Sequence, residues 1–238
     1  MELQQAAVVI DCLKLEEMPD WEYEQVFRLS TLERQEKAYR YRKRRDSERC
    51  LAAGLLLQAA WMDTQGKVRM KTGYGNHGKP YAEEKTGFHY NISHAGDWVV
   101  LAYSDQEVGV DVEEIFMDEG RKQVAEFSFT LEEQDYIFKV ADNKEQAERF
   151  SRVWTGKESY LKYLGTGLTK SMKSVVANGA LESVLEDAAG QKALINSLFL
   201  DKQHCLSVCG RYHGIVLNIV TVDELIRKVS EGEMERTG

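Results

Sequence analysis

Residues Trp154 to Leu168 read WTGKESYLKYLGTGL, and the other informative motifs of the chain can be placed around this stretch. Trp154, Glu158 and Lys162 are four residues apart, so in a helix their side chains lie along one face. A carboxylate and an amine one turn apart are also common on helices that only face solvent, and the pattern alone favours that interpretation. A functional interpretation therefore needs a chemical partner elsewhere in the chain.

A short acidic strand upstream supplies such a partner. Gly109 to Glu113 reads GVDVE, an alternating pattern typical of a strand, on which Asp111 and Glu113 point to the same side. With Glu158 they would bring three carboxylates together, and these repel each other unless a cation lies between them. Oxygen ligands of this kind suit a hard divalent ion such as Mg²⁺. We therefore predict a metal site made by Asp111, Glu113 and Glu158.

Composition limits the classes of function. The chain has 238 residues, enough for one large or two small domains, and its net charge of −8 argues against nucleic-acid binding, which needs a basic surface. The N-terminus lacks the basic region of a secretory signal, and the longest apolar run, Cys50 to Met62, is too short to span a bilayer. The four cysteines show no metal-ligand spacing and are typical of free thiols in a reducing compartment. We expect a cytoplasmic protein without membrane or nucleic-acid partners.

Hydrophobic spacing and turn residues predict a series of helices and strands. In the first half they are a strand from Ala6 to Leu13, helices from Asp20 to Leu29 and from Arg49 to Met62, and a hairpin of Phe88 to Ser93 with Trp98 to Tyr103. Ser30 and Glu33 have capping-box spacing and predict one more helix start. In the second half they are helices from Thr130 to Val140, from Lys144 to about Gly165 and from Asp223 to Val229, strands at Val175 to Asn178, Cys205 to Cys209 and Ile215 to Val222, and a frayed tail from Ser230. Each half places helices before β-rich segments, which suggests an internal duplication without a residue-level repeat.

The segment from residue 34 to residue 49 is the most basic of the chain. Its cations are Arg34, Lys37, Arg40, Arg42, Lys43, Arg44, Arg45 and Arg49. A solvated helix face and a cradle for phosphate groups explain this run about equally well, since arginine and lysine are the residues that hold phosphates.

A turn-rich segment and the predicted hairpin follow. Gly78-Lys79-Pro80 ends the turn-rich segment, and Ser93-His94 lies where the first hairpin strand ends. A lone histidine in a turn is usually incidental, but Ser93 and His94 beside a lysine and an acidic strand are candidates for binding phosphate. They are not interpreted as nucleophile and base, because adjacent strand residues point to opposite sides and no GxSxG motif surrounds Ser93.

Four motifs in order carry a resemblance to a known family. They are Gly78-Lys79-Pro80, Asn91-Ile92-Ser93-His94, Gly109-Val110-Asp111-Val112-Glu113, and Trp154-Thr155-Gly156-Lys157-Glu158 followed by Lys162. From about Arg34 to Leu168 the chain resembles the 4'-phosphopantetheinyl transferases of the type that activates surfactin synthetase. The resemblance implies an α+β fold, a pseudo-dimer of two similar α+β halves with mostly antiparallel sheets, which we place at residues 1–108 and 109–238. It also implies transfer of the 4'-phosphopantetheine arm of coenzyme A to a serine of an apo acyl or peptidyl carrier protein, with release of adenosine 3',5'-bisphosphate, by a monomer.

The resemblance also implies a role for each matching residue. Metal binding falls to Asp111, Glu113 and Glu158, with Mg²⁺ expected and Mn²⁺ the alternative. The catalytic residues would be Lys162, near the pyrophosphate, and Glu158, which would remove the serine proton directly or through a metal-bound water. Coenzyme A binding falls to Arg34, Lys37, Arg49, Lys79, Ser93 and His94. Cys50 departs from the small hydroxyl residue that relatives often carry, which puts one hydrogen bond to coenzyme A in doubt.

Two other functions remain open. A carboxylate-metal phosphatase or nucleotide hydrolase would use the same three acids with water as nucleophile, but it gives no reason for the Gly-Lys-Pro and Ser-His motifs. A carrier-binding module without catalysis is the other, although the intact acids and Lys162 argue against it. The sequence does not specify the carrier protein, its pathway or the tolerance for acyl-coenzyme A.

The segment after the acidic strand is a candidate surface for the carrier. Its apolar residues are Phe116, Met117, Phe127 and Phe129, and the nearby cations are Arg121 and Lys122. Aromatic residues are more often buried, and that interpretation is somewhat favoured. The alternative is an exposed apolar rim at which the two cations meet acidic groups of the carrier.

Overall fold

A computed structural model describes residues 7–118, 120–167, 171–175, 182–186 and 192–237. Of the positions named above, Ala6, Leu168, residues 176–178 and Gly238 lie outside this part of the chain. The strands are β1 Val8–Lys14, β2 Thr72–Tyr74, β3 Pro80–Ala82, β4 His89–Ala95, β5 Trp98–Ser104, β6 Val108–Glu114, β7 Glu182–Glu186, β8 Lys192–Phe199, β9 His204–Gly210 and β10 Ile215–Val220. The helices are α1 Asp20–Leu29, α2 Leu32–Tyr39, α3 Arg44–Gln65, α4 Arg121–Ser128, α5 Leu131–Phe138, α6 Asn143–Leu164 and α7 Val222–Thr237, with a 3₁₀ turn at Met172–Ser174.

Two four-stranded sheets organise the described residues. The first has the order β10-β1-β5-β4 and the second the order β6-β9-β8-β7, while β2 and β3 form a separate pair. The described strands pair antiparallel throughout, except that β1 and β10 run parallel. The α+β class with mostly antiparallel sheets is therefore confirmed.

Each sheet is covered by one long helix, which gives the two halves a similar plan. Helices α3 and α6 both have 22 residues, and each is followed by a glycine in the left-handed region, Gly66 with φ 61° and Gly165 with φ 66°. Glycine suits this position because a Cβ atom disfavours positive φ. Leu51, Leu55 and Trp61 of α3 are buried in the core of the first half. The expected two-half architecture is confirmed.

The end of the chain returns to the first half. Strand β10 pairs with β1, and α7 packs against α3. Because of this return, the tail predicted to fray is helical as far as Thr237. The division at residues 108 and 109 stays a prediction about the chain. No helix in the described part of the chain combines the length and the apolar character needed to cross a membrane.

Several predicted boundaries were wrong for local reasons. Ser30 does not cap α2, since its hydroxyl donates to the Val26 carbonyl at 2.8 Å, and Thr31 accepts the Arg34 N–H instead. Helix α3 begins five residues before Arg49, and the ion pairs of Glu48 with Arg44 and Arg45 stabilise its first turns. Strand β4 continues to Ala95, two residues beyond the predicted end at Ser93. By contrast, the predicted start of α5 is confirmed by a complete capping box between Thr130 and Glu133.

Candidate active site

Strands β4 and β6 lie side by side where the two halves meet, and side chains rather than ladder bonds join them. Asn91 Oδ1 accepts the Val110 N–H at 2.9 Å, and Ser93 Oγ accepts the Val112 N–H at 3.3 Å. Both residues are buried. The sequence did not predict this role of Asn91, although residues two apart on a strand share a face and Asn91 is two positions before Ser93.

Helix α6 lies unusually close to β6 at Gly109. A Cβ atom at Gly109 would meet the Ser159 carbonyl oxygen and the Tyr163 nitrogen far inside normal contact distance. Only glycine therefore permits this approach of helix backbone to strand backbone. The contact brings Glu158 and Lys162 of α6 over Asp111 of β6.

Asp111 is the centre of the cluster that results. Lys162 Nζ lies 2.6 Å from Asp111 Oδ1 and donates to Ser93 Oγ at 2.9 Å, while Ser93 Oγ donates to the same Asp111 oxygen at 3.0 Å. Burial raises the pKa of Asp111 above its ordinary value, and the Lys162 ammonium and the Ser93 hydroxyl oppose this. The second oxygen, Oδ2, is buried without a hydrogen-bond partner.

Two further carboxylates face this cluster. Burial, followed by repulsion from Asp111, raises the pKa of Glu113 to about 7, with a smaller contribution from Glu158. Burial and the charge of Asp111 also raise the pKa of Glu158. The three acids therefore disfavour one another's ionised forms, which is the electrostatic condition that a bound cation would relieve.

The residues present are chemically suited to Mg²⁺, but they do not form a finished metal cage. Within the described residues, no three carboxylate, imidazole or thiol side chains are grouped as ready ligands. The Lys162 ammonium forms an ion pair with Oδ1 of Asp111, and Oδ2 of Asp111 has no hydrogen-bond partner. A buried carboxylate oxygen without a partner, on a residue that raises the pKa of two other acids, fits a hard cation. The assignment of Asp111, Glu113 and Glu158 as ligands stays a prediction.

Comparison with known proteins identifies the family. The model described as 4'-phosphopantetheinyl transferase superfamily matches residues 107–214, and the one described as 4'-phosphopantetheinyl transferase, N-terminal, matches residues 18–106. The chain belongs to the 4'-phosphopantetheinyl transferase superfamily. It is thus an enzyme of the transferase class, and the predicted resemblance is confirmed.

Individual phosphopantetheinyl transferases extend the similarity over most of the chain. A 4'-phosphopantetheinyl transferase of Bacillus subtilis is 28% identical over 203 residues, which cover 82% of this chain and 88% of that protein. The transferase Sfp of Bacillus subtilis strain 168 is 26% identical over 82% of this chain and 88% of its own. The transferase gsp of Aneurinibacillus migulanus is 34% identical over 57% of this chain and 56% of its own.

The residues predicted to bind coenzyme A in this transferase lie in different places. Arg34 and Lys37 line one cavity of about 190 Å³ in the first half, together with Gly78 and Pro80. Arg49 instead donates to the Gly96 carbonyl at 2.8 Å and fixes the turn after β4. These cations are therefore not gathered into a single cradle in the described structure.

His94 and Ser93 point to opposite sides of β4, as predicted. Ser93 is buried in the Asp111 cluster, whereas His94 has an exposed edge. Burial of part of the His94 ring, followed by the charges of Arg49 and Lys162, lowers its pKa. The neutral imidazole is therefore favoured, and Ser93 acts on Asp111 and Lys162 rather than facing open solvent.

Lys79 braces the two halves. Its ammonium donates to Glu107 Oε2 at 2.6 Å and to the carbonyls of Val108 and Tyr163 at 3.1 Å each. It also lines a cavity of about 250 Å³ beside Glu158. Three acceptors already occupy the ammonium, so Lys79 has a structural role in addition to the predicted one.

A buried ion pair next to Glu158 was not assigned any role from the sequence. Lys157, with 0% of its side chain exposed, lies 2.6 Å from Glu133 Oε2, and the same oxygen caps α5 by accepting the Thr130 N–H. Lys157 also donates to the Met172 carbonyl at 3.0 Å. These contacts fix α6 against α5 and the 3₁₀ turn, and thus set the position of Glu158.

The segment predicted to meet a carrier divides into buried and exposed residues. Arg121 is buried and donates to the Phe116 carbonyl and to Asn143, so the expected contact of Arg121 with a carrier is wrong. Phe129 belongs to a hydrophobic core. Phe127 is 85% exposed, and Met117 is 50% exposed.

Proposed function

We propose that this transferase moves the 4'-phosphopantetheine arm of coenzyme A to a serine of an apo acyl or peptidyl carrier protein, releasing adenosine 3',5'-bisphosphate. The observation that carries the proposal is the cluster of Asp111, Lys162 and Ser93, with Glu113 and Glu158 facing it, at the meeting of the two halves. It holds carboxylates and an ammonium together, as phosphoryl transfer from a pyrophosphate requires.

The reaction begins when the carrier serine loses its proton and its oxygen attacks the β-phosphorus of coenzyme A. Glu158 is our candidate base, since burial and Asp111 raise its pKa and thereby improve its ability to accept a proton. The bond from the β-phosphorus to the bridging oxygen breaks, and adenosine 3',5'-bisphosphate leaves. Lys162, held by Asp111 and Ser93, faces the pyrophosphate and offsets negative charge on its oxygens.

Asp111, Glu113 and Glu158 would hold Mg²⁺, with Mn²⁺ as the alternative. The bound ion would neutralise charge on phosphoryl oxygens. The unpartnered Oδ2 of Asp111 and the raised pKa of Glu113, about 7, support this ligand set.

For coenzyme A we propose contacts from Arg34, Lys37, Arg49, Lys79, Ser93 and His94. Arg34 and Lys37 line a shared cavity, which supports a role for them around the nucleotide phosphates. Lys79 borders the cavity of Glu158 and Lys162, next to the proposed pyrophosphate position.

We further propose that the enzyme acts as a cytoplasmic monomer. All four cysteines are buried and unbridged, as expected for a reducing compartment. The carrier would approach beside the exposed Phe127 and Met117.

The test is incubation of the protein with coenzyme A, Mg²⁺ and an apo carrier protein, followed by mass spectrometry of the carrier. A mass gain of one phosphopantetheine arm and stoichiometric adenosine 3',5'-bisphosphate are expected. A carrier whose active-site serine is replaced by alanine is the matched control and should gain no mass. Cleavage of coenzyme A without transfer would contradict the proposal and indicate a hydrolase, and carrier binding without either product would indicate a module that only binds.

A further inference from the structure

Helix α6 packs on its sheet over a row of three polar side chains. Asp111 on β6 pairs directly with Ser207 on β9, and Ser207 pairs directly with Ser197 on β8. Residues directly opposite on paired strands lie on the same face of the sheet. Thr155 of α6 lies over this face, 2.7 Å from the Ser207 hydroxyl. The row therefore leads from the proposed active site into the contact between helix and sheet.

Hydrogen bonds join the hydroxyls into a chain with a fixed direction. Thr155 Oγ1 lies 2.8 Å from the Ser151 carbonyl, which can only accept, so Thr155 donates its proton there. Thr155 then accepts the proton of Ser207 at 2.7 Å, and Ser207 in turn accepts the proton of Ser197 at 2.7 Å. The Ser207 proton is therefore not available to Asp111, whose Oδ2 has no hydrogen-bond partner.

This hydroxyl chain is closed off from solvent. Thr155 and Ser207 are 0% exposed, and Ser197 is 9% exposed. Hydroxyls inside a helix–sheet contact cost free energy unless they are hydrogen-bonded, and apolar side chains such as Leu161 and Ile195 fill the neighbouring part without that requirement. Hydrogen bonds add direction, since they weaken steeply when their geometry changes, whereas apolar contact is non-directional. The hydroxyl chain therefore fixes the rotation of α6 on the sheet.

Helix geometry transmits this orientation to the site. Glu158 lies three residues after Thr155, about 4.5 Å along the helix axis, and Lys162 lies seven residues after Thr155 on the same face. A rotation or a slide of α6 at Thr155 therefore moves Glu158 and Lys162 together. The tolerance is small, since Lys162 Nζ lies 2.6 Å from Asp111 Oδ1. The Gly109 contact sets how closely α6 approaches β6, whereas the hydroxyl chain sets how α6 is turned.

We propose that Thr155, Ser207 and Ser197 are positioning residues, which hold the site residues of α6 in register with those of β6. The proposal rests on the proposed function of this site. Because the three hydroxyls are buried, they act through α6 and not by contact with a substrate. A displacement of reacting groups by about 1 Å can lower a rate by roughly 100-fold. Loss of the hydroxyl chain should therefore lower the maximum rate of transfer more than the affinity for coenzyme A.

The test compares full-length variants that differ in one hydroxyl, at a temperature at which circular dichroism shows each to be folded. Thr155→Val keeps the shape of the side chain and should lower the maximum transfer rate by about 10–100-fold, with the coenzyme A requirement changed less than about 2-fold. Thr155→Ser restores the hydroxyl and should recover most of the rate. Ser159→Ala is the matched control that should keep the parent rate, because its hydroxyl is equally buried but donates only within α6, to the Gly156 carbonyl at 2.8 Å.

A double-substitution cycle tests whether the hydroxyls act as one chain. Ser207→Ala should lower the rate about as much as Thr155→Val, and the double variant should lose no more than either alone, since breaking the chain once already releases α6. If Thr155→Val folds poorly, Ser207→Ala takes its place in the comparison, because it breaks the same chain by removing a single oxygen.

Crystal structures of the parent and of Thr155→Val give a measurement that does not depend on the proposed function. The contact of 2.6 Å between Lys162 Nζ and Asp111 Oδ1 should be longer in the variant. An inactive parent that shows this displacement would reject the proposed function and keep the positioning role. A folded Thr155→Val protein with the parent rate or with an unchanged contact would overturn the proposal, as would an equal loss of rate in Ser159→Ala.

Discussion

Gly109 and Ser159 lie in direct backbone contact, strand against helix, with no room for a Cβ atom between them. We expect Gly109→Ala to push α6 away from β6 and to separate Glu158 and Lys162 from Asp111. Overpacking of this kind costs about 1–3 kcal/mol, but the loss of transfer should exceed the loss of folded protein because the cluster is misaligned. Denaturant unfolding and carrier modification measure the two effects. Gly214→Ala, where a Cβ atom makes ordinary contact, should change neither.

Asp111→Asn should reduce the maximum transfer rate by roughly 100-fold or more, because it removes a charge that orients Lys162 and the proposed metal. The fold should survive, since the amide fills the same space and relieves repulsion of Glu113. The measurement is carrier mass gain at saturating Mg²⁺, with circular dichroism of the same sample. A near wild-type rate would remove Asp111 from the metal assignment.

The raised pKa of Glu113 predicts a pH-dependent metal affinity. Protons and Mg²⁺ compete for this carboxylate, so below pH 7 the affinity should fall by up to about 10-fold per pH unit. Without metal, the pH dependence of folding stability due to Glu113 is opposite to that of a carboxylate whose pKa is lowered by folding. The folded state holds the Glu113 proton between pH 4.5 and about 7, so the contribution of this group to stability decreases as the pH rises through that window.

Calorimetric Mg²⁺ titrations and unfolding curves across this pH range test both statements. Glu113→Gln keeps the shape of the side chain without its titration and should flatten both profiles. An unchanged profile in Glu113→Gln would assign the titration to another group.

Lys79→Met should lower the free energy of unfolding by about 1–3 kcal/mol, because the Val108 and Tyr163 carbonyls lose their donor. It should also raise the coenzyme A requirement more than it lowers the maximum rate, as expected for a binding contact. Burial would raise the pKa of Glu107, but the hydrogen bonds from His89 and Lys79 lower this pKa to about 2. Because Lys79→Met removes one of these bonds, the pKa of Glu107 should rise in the variant. His89→Gln is the control. It should also raise the pKa of Glu107, but it leaves the Lys79 donor of the Val108 and Tyr163 carbonyls in place.

Phe127→Ala should weaken use of the carrier and leave the coenzyme A requirement unchanged, because Phe127 is 85% exposed beside the proposed docking surface. Leu32→Ala removes a comparably exposed apolar side chain, 74% exposed, from the other half and should affect neither substrate. Carrier and coenzyme A titrations of both variants supply the comparison. Equal effects of the two substitutions on carrier use would show that the surface at Phe127 does not bind the carrier.

Arg121→Glu is now expected to destabilise the protein rather than to act selectively on the carrier. Its guanidinium is buried and donates to Phe116 and Asn143, so a carboxylate there would leave acceptors facing acceptors. The thermal midpoint should fall, and Lys122→Glu is the exposed neighbour for comparison. A stable Arg121→Glu protein with selective loss of carrier use would restore the original interpretation.

The sequence by itself determined the elements that carry the motifs. Alternation identified β6, spacing and the following glycine identified α6, and Thr130 before two acidic residues identified the start of α5, because each of these signals is local to a few residues. The motif residues Asp111, Glu113, Glu158 and Lys162 could be selected in the same way, with the family resemblance supplying their roles. These predictions depend on periodicity and capping, which the chain encodes without knowledge of distant contacts.

Only the tertiary structure decided which side chains meet and which are buried. In the folded chain Lys162 contacts Asp111 and Ser93, and Lys79 donates to two carbonyls. Arg121 is buried, and β10 pairs with β1. The same fold brings together Thr155, Ser207 and Ser197, which no sequence motif connects. Each of these results depends on contacts between residues far apart in the chain, and burial, desolvation and charge pairing arise only when such contacts form.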